Sequence, residues 1–207
     1  MTDALVACNK ANLVEMVKTA LDQGVLADDI LNKGLIVGME IVGDRMEKGD
    51  MFIPEVLMAA QSMGECVEIL KPVLDETGGS AAASVVIGTI KGDLHDIGKN
   101  LVSMMMESAG FEVHDIGVDI SAEAFIAAIK EENAEIVCLS ALLTTTMPAM
   151  KQTIDAITEA GIRDQVKILV GGAPVTQAFA DDIGADGFAA DAGSAAKLAK
   201  FCISMKG

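Results

Sequence analysis

A chain of 207 residues with 51% apolar side chains carries enough hydrophobic material for one or two domains. Its net charge of −16 offers nothing to a phosphate backbone and argues against a nucleic-acid partner. No apolar run is long enough to span a bilayer, and the first residues lack the basic region and apolar core of a signal peptide. The expected location is therefore the cytoplasm, with no membrane partner.

The N-terminal segments read as helices. Leu5, Leu13, Met16, Val17 and Leu21 share one stripe across residues 3–22, and Gly24 ends it. Residues 26–48 are helical again, with Gly34, Gly38 and Gly43 bending or splitting the segment. Lys48-Gly49-Asp50 is a turn, followed by the apolar Met51-Phe52-Ile53. Pro54 opens a third long segment with Val56, Ala60, Met63, Val67 and Leu70 on its stripe. Together they predict a helical bundle. The polar, glycine-rich stretch 75–80 marks a boundary, giving domains 1–80 and 81–207.

From Ala83 the pattern changes. Strands are predicted near 84–90, 112–116, 135–139, 167–170 and 186–189, and helices near 98–109, 121–132, 147–160, 175–182 and 193–204. This alternation predicts a five-stranded parallel sheet covered on both faces, in the flavodoxin-like (Rossmann-like) order 2-1-3-4-5. Cys8, Cys66, Cys138 and Cys202 form no C-x-x-C pair and read as small apolar residues in a reducing compartment.

The chemistry concentrates in the turn after the first of these strands, Lys91-Gly92-Asp93-Leu94-His95-Asp96-Ile97-Gly98. Asp93-x-His95-x-x-Gly98 sets a carboxylate two residues before an imidazole. A carboxylate can hold one ring nitrogen, fix the tautomer and leave the other nitrogen for a metal. The plain alternative is a surface turn with a solvated histidine. Two more loops open on the same carboxyl edge of the sheet. One runs from Ser140 to Pro148 and holds Thr144, Thr145 and Thr146; the other is Val170-Gly171-Gly172-Ala173-Pro174. Singly, each reads as helix capping and a tight turn. Three of them around one histidine predict a binding site. His114-Asp115-Ile116-Gly117 repeats the letters of His95–Gly98, but inside a predicted strand, so His114 reads as structural.

These residues resemble a known signature. It belongs to the cobalamin-binding proteins that include the corresponding part of cobalamin-dependent methionine synthase: D-x-H-x-x-G, about 41 residues, S-x-L, roughly 26–32 residues, and G-G. Here 41 residues (99–139) separate Gly98 from Ser140, and 28 (143–170) separate Leu142 from Gly171. Gly49-x-Met51-Phe52-Ile53-Pro54-Glu55-Val56 is similar to a stretch of the helical cap in the methyl-carrying branch. The small corrinoid proteins of methylamine, methanol and methoxyaromatic methyl transfer look most alike.

The resemblance implies a cobalamin or related corrinoid cofactor, with His95 as the lower axial cobalt ligand in place of the cofactor's own base. It implies that Asp93 holds the other His95 nitrogen and that Thr146 completes the relay, where methionine synthase has Ser. Ser140, Leu142 and Thr144 would line the path of the displaced nucleotide tail, and Gly171 and Gly172 would leave room for its base. Met46 and Ile53 would cover the upper, methyl-bearing face, with Met46 where methionine synthase has Phe. The implied activity is methyl carriage between cobalt(I) and methyl-cobalt(III), with no catalysis by the chain alone. The implied partners are a substrate-specific methyltransferase, a second methyltransferase acting on a thiol or a tetrahydrofolate-type acceptor, and a corrinoid reductive activase. Other readings stay open: a subunit of an adenosylcobalamin mutase, a cobalamin-based sensor, and a flavin-binding electron carrier. The lack of Trp and Tyr counts against flavin stacking, and the acidic chain has no basic patch for DNA.

Overall fold

The run Ser84–Thr89 is rich in β-branched residues and forms β1, buried almost end to end. That near-continuous burial is what a central strand of a parallel sheet requires, since helices cover both of its faces. The other strands are β2 (Glu112–Asp115), β3 (Ile136–Ser140), β4 (Lys167–Gly171) and β5 (Gly187–Ala189). All pair in parallel, in the order β2-β1-β3-β4-β5. Between and after them lie α6 (Ile97–Ser108), α7 (Ala122–Glu131), α8 (Met147–Glu159), a 3₁₀ turn (Arg163–Gln165), α9 (Gln177–Ile183) and α10 (Ala192–Ser204). The element order and the 2-1-3-4-5 topology are those the sequence predicts.

In the computed structural model, which describes residues 1–77 and 83–204, the chain divides into two units. One is Met1–Ala81 with Ser108–Gly110, and the other is Ala82–Glu107 with Phe111–Gly207. The core of the second unit centres on Val86, Val137, Leu139, Ile168 and Phe125. Phe125 is fully buried, and its burial alone contributes about 1.5–3 kcal/mol. On the amino edge of the sheet, Asp186 accepts from the Ile168 N–H at 2.8 Å and pairs with Arg163 at 2.7 Å and Lys167 at 3.0 Å.

The first unit is built from α1 (Thr2–Val6), α2 (Lys10–Asp22), α3 (Ala27–Asp29), a π-helical segment (Ile30–Ile36), α4 (Val37–Glu47) and α5 (Ile53–Thr77). Residues 3–22 are thus two helices, not the single one their stripe suggests. Cys8 adopts a left-handed φ of 53°, and the Asn9 side chain then caps α2 by accepting from the Asn12 N–H. Helix α3, the π segment and α4 run on without a break in helical backbone, so the glycines there neither split nor stop the helix. The Thr2 hydroxyl donates at 3.0 Å to the Gly34 carbonyl in the π segment, which also accepts a backbone N–H. A Cβ at Gly38 would stand 2.5 Å from Leu5 Cδ2, so glycine there lets α1 close on α4. Helix α5 starts one residue before Pro54, with Glu55 reaching back to accept from the Phe52 N–H at 2.9 Å. It continues to Thr77, into the stretch read as the boundary, whose remainder 78–80 lies outside the described residues.

Cys66, Cys138 and Cys202 are buried, and Cys8 is half-buried. Burial pushes the Cys138 thiol up to about 12 and the Cys66 thiol up to about 11; those of Cys8 and Cys202 move in the same direction, again chiefly through burial.

Candidate functional site

The strand β1 ends at Thr89, and the loop 90–96 leads directly into α6. The buried Thr89 hydroxyl donates to the His95 carbonyl at 2.8 Å, drawing the loop back over the strand it left. Gly92 turns the chain with a φ of +84°, a region that side chains disfavour. The turn brings Asp93 inward, where it is fully buried.

The Asp93 carboxylate is surrounded by donors. Its Oδ1 accepts from the His95 backbone N–H at 3.1 Å and lies 2.7 Å from His95 Nδ1. Its Oδ2 accepts from the Leu142 N–H at 2.7 Å, the Leu143 N–H at 3.3 Å and the Thr146 hydroxyl at 2.9 Å. Burial alone would raise this carboxyl. The bonds from Leu142 N–H, the His95 ring, the His95 N–H and Thr146 outweigh it and hold the group well below the usual carboxylate range. Asp93 is therefore an anion and can only accept. The hydrogen on the 2.7 Å contact must then sit on His95 Nδ1, which leaves Nε2 with a free lone pair in the neutral ring. Nε2 meets no protein partner among the described residues, and the imidazole is half-exposed. The Thr146 hydroxyl has a single hydrogen but also lies 2.9 Å from the Leu143 carbonyl; the charged carboxylate is the stronger acceptor of the two.

The structure thus joins Asp93, His95, Leu142 and Thr146 in one network. Ser140 closes β3, and its carbonyl accepts from the Ile90 N–H at 3.0 Å, while Thr144 stands exposed on the following loop. Gly172 has a φ of +121°, and a Cβ there would fall 1.8 Å from the Ala141 carbonyl oxygen. The chain's own packing therefore demands that glycine. A Cβ at Gly171 would meet the Ala189 carbonyl at 3.1 Å, a tighter approach than usual. Gly98 is different: a Cβ in its place meets nothing within 4 Å, so no packing inside the chain calls for glycine there. Met46 lies in α4, half-buried, and Ile53 begins α5, exposed. His114 sits in β2 opposite Val86, with Nδ1 3.4 Å from Glu132 and Nε2 3.9 Å from Glu112.

Several residues of the site escape a reading of the sequence. Leu94 and Ile97 flank His95 with 72% and 77% exposure, and Leu143 is exposed as well, beside Leu142, which the family resemblance already named; both leucines bond to Asp93 through their N–H groups. Four large apolar side chains left in the open around one imidazole mark a surface made for an apolar ligand. Lys99, in the first turn of α6, is buried and paired with Asp115 at the end of β2, and it donates to Asn100 at 2.7 Å. Among the described residues no three His, Cys, Asp or Glu side chains gather into a metal site. His95 offers one nitrogen only.

A doubly wound parallel sheet with one carboxylate-held imidazole at its switch point, ringed by exposed apolar side chains, defines a flavodoxin-like cofactor-binding domain. The chain belongs to the B12-binding family: residues 83–198 match a B12 binding domain, and residues 1–71 match a second B12 binding domain. It is 46% identical over 201 residues to the dimethylamine corrinoid protein of Methanosarcina barkeri, spanning 97% of this chain and 94% of that one. Among solved structures it resembles a cobalamin-binding protein from Desulfitobacterium hafniense DCB-2, with a TM-score of 0.85 and 32% identity over 97% of this chain and 96% of that one. It also resembles a chain of the methanol:cobalamin methyltransferase complex from Methanosarcina barkeri, with a TM-score of 0.83 and 32% identity over 98% and 78% of the two chains.

The residues present fit a corrinoid. A corrinoid carries its metal in its own ring and needs one axial nitrogen from the protein, which His95 Nε2 can give. The apolar ring of Leu94, Ile97, Leu142 and Leu143 suits a flat macrocycle, and the open space at Gly98 leaves room for one.

Proposed function

We propose that this chain is a corrinoid methyl carrier, loaded by a substrate-specific methyltransferase and unloaded by a second one acting on a thiol or a tetrahydrofolate-type acceptor. The single observation that carries the reading is the Asp93–His95 pair. A buried anion holds Nδ1, so the imidazole presents Nε2 as a fixed donor. The bound corrinoid supplies the cobalt that takes and yields a methyl group.

The protein's own residues supply the setting. His95 would hold the metal through Nε2. Asp93 sets its tautomer and donor strength, and Thr146 steadies Asp93. Ser140, Thr144, Gly171 and Gly172 accept the nucleotide tail, and Leu94 and Ile97 shield the ring from water. On the family resemblance, Met46 and Ile53 of the first unit would face the cofactor's reactive side, and that unit would have to give way to each methyltransferase. A methyltransferase as partner is supported by the likeness to the chain from the methanol:cobalamin methyltransferase complex, and methyl carriage by the identity to a dimethylamine corrinoid protein. A corrinoid reductive activase would return oxidised cobalt to the cycle.

The test is reconstitution of the purified chain with hydroxocobalamin, read by absorbance. His95→Ala should bind it more weakly and give the spectrum of a corrinoid without a histidine ligand. His114→Ala should match the wild type. Equal binding and an unchanged spectrum in His95→Ala would refute the ligand assignment.

A further inference from the structure

Asp119 lies in the loop between β2 and α7, outside every motif discussed above, and grips the His95-bearing turn at two backbone points. Its carboxylate Oδ1 accepts from the Gly92 N–H at 2.8 Å, and its own N–H donates to the Asp93 carbonyl at 3.0 Å. It does this from a left-handed φ of 57°, a conformation uncommon for any residue but glycine and, among the rest, enriched in Asp and Asn. Lys91 lies 3.3 Å from the same carboxylate, with both side chains well exposed, so that pair adds little. Next to it, Ile120 N–H donates to the Thr89 carbonyl at 3.0 Å and continues the pairing of this loop with the end of β1.

Asp93 is thus held from two sides. Its side chain is fastened to the loop after β3, and its main chain is fastened to Asp119. The direction in which a carboxylate points depends on the peptide that carries it. The Asp93 N–H also donates to the Ile90 carbonyl at 3.1 Å, which anchors one end of the turn. Without the Asp119 carboxylate the Gly92 N–H loses its partner, the peptide between Gly92 and Asp93 can tilt about that anchor, and the Oδ1 that faces His95 Nδ1 moves with it.

We propose that Asp119 is a positioning residue for the axial ligand: by clasping Gly92 and Asp93, it sets the carboxylate that locks His95 in the Nδ1–H tautomer. This rests on the reading of His95 as the cobalt ligand only for its consequence, because the tautomer itself belongs to the cofactor-free chain.

The experiment uses the full chain with three substitutions. Asp119→Gly keeps the left-handed backbone accessible and removes the acceptor. Asp119→Asn keeps an acceptor oxygen and removes the charge. Lys91→Ala removes the ion pair alone. Ring ¹⁵N shifts of the cofactor-free proteins at about pH 8, above the ordinary imidazole range, report the His95 tautomer. The His114 signals report that the fold is intact. The wild type, Asp119→Asn and Lys91→Ala should show His95 almost wholly as Nδ1–H, and Asp119→Gly should show a mixture. After reconstitution with hydroxocobalamin, Asp119→Gly should lower the ratio of His-bound to His-free corrinoid by about 3–10-fold, less than the ~10–100-fold typical of a direct outer-shell partner. An unchanged tautomer in Asp119→Gly overturns the proposal. Equal damage in Asp119→Asn also overturns it, by making charge rather than the clasp the agent. If the wild type binds hydroxocobalamin without histidine ligation, the ligand reading fails, and the tautomer measurement still decides the role of Asp119.

Discussion

The Leu142 N–H donates to the Asp93 carboxylate at 2.7 Å, so one buried anion fastens the loop after β1 to the loop after β3. These two strands are hydrogen-bonded neighbours, and the helices that follow them lie on opposite faces of the sheet. The crevice between such loops is where doubly wound folds bind ligands, and here a carboxylate bridges it. Asp93 is therefore both a partner of His95 and a tie between the two walls of the site.

Asp93→Asn separates these roles from mere shape. The amide replaces one acceptor oxygen with a donor, which must then face either His95 Nδ1 or the N–H groups of Leu142 and Leu143. Stability should fall by about 1–3 kcal/mol, the usual effect of disturbing hydrogen bonds to a buried charged group. The fraction of corrinoid ligated by His95 should fall ~10–100-fold while binding through the tail pocket persists. Thr146→Val should act in the same direction, by about 1 kcal/mol. Urea melts and spectrophotometric titration of the three proteins check this; coincident curves would reduce Asp93 and Thr146 to capping residues.

The glycines of the site divide by cause. Gly172→Ala must place a Cβ on the Ala141 carbonyl at a φ closed to alanine, so it should lose more than about 3 kcal/mol or fail to fold. Gly98→Ala has open space and a helical position, so the cofactor-free chain should gain about 0.5–1 kcal/mol. Under the proposed reading the same methyl would intrude on the cofactor's site, and corrinoid affinity should drop. Thermal melts with and without hydroxocobalamin distinguish the two. A Gly98→Ala protein that is both more stable and equally tight would remove Gly98 from the site.

Acid should unfold this protein through a few identifiable carboxylates. For Asp186, burial raises the carboxyl, but the Ile168 N–H, Lys167 and Arg163 together hold it below its ordinary value. A depressed value means that folding favours the anion, so the stabilisation is present above the unfolded carboxylate range of about 3.9 and fades as pH falls through the lower folded value. Asp93 follows the same sign. Asp186→Asn should destabilise the chain by about 1–3 kcal/mol at neutral pH, and the gap from the wild type should narrow towards about pH 3. Denaturant melts across that range measure it. A gap that stays constant with pH would show that packing, not ionisation, carries the effect.

Much of this architecture is written in local pattern. Buried parallel strands such as Val85–Ile87 and Ile136–Leu139 are unbroken apolar runs, and the helices between them keep a 3.6-residue stripe, so order and topology follow from elementary rules. The turn carrying Asp93 and His95 is legible because its chemistry lies within three residues. What depends on distant partners is not. Nothing in the stripe of residues 3–22 announces the left-handed Cys8, since the apolar period continues through the break. The Gly34 carbonyl in the π segment meets the Thr2 hydroxyl 32 residues away, and the buried Lys99 is paired with Asp115. Asp119 reads as an ordinary loop acid until the fold sets it against Gly92. The tie of Thr146 to Asp93 joins positions 53 residues apart, which local pattern does not announce and only the family resemblance implies.

The cysteines acquire a meaning from the proposed chemistry. A methyl group in transit is an electrophile, and a thiolate within reach would capture it as a dead-end thioether. The thiols of Cys8, Cys66, Cys138 and Cys202 are all raised above their ordinary value, chiefly by burial. At neutral pH they stay protonated and weakly nucleophilic. On the proposed reading, the carrier's own thiols would then be poor methyl acceptors, and the cargo would pass to an acceptor on another molecule.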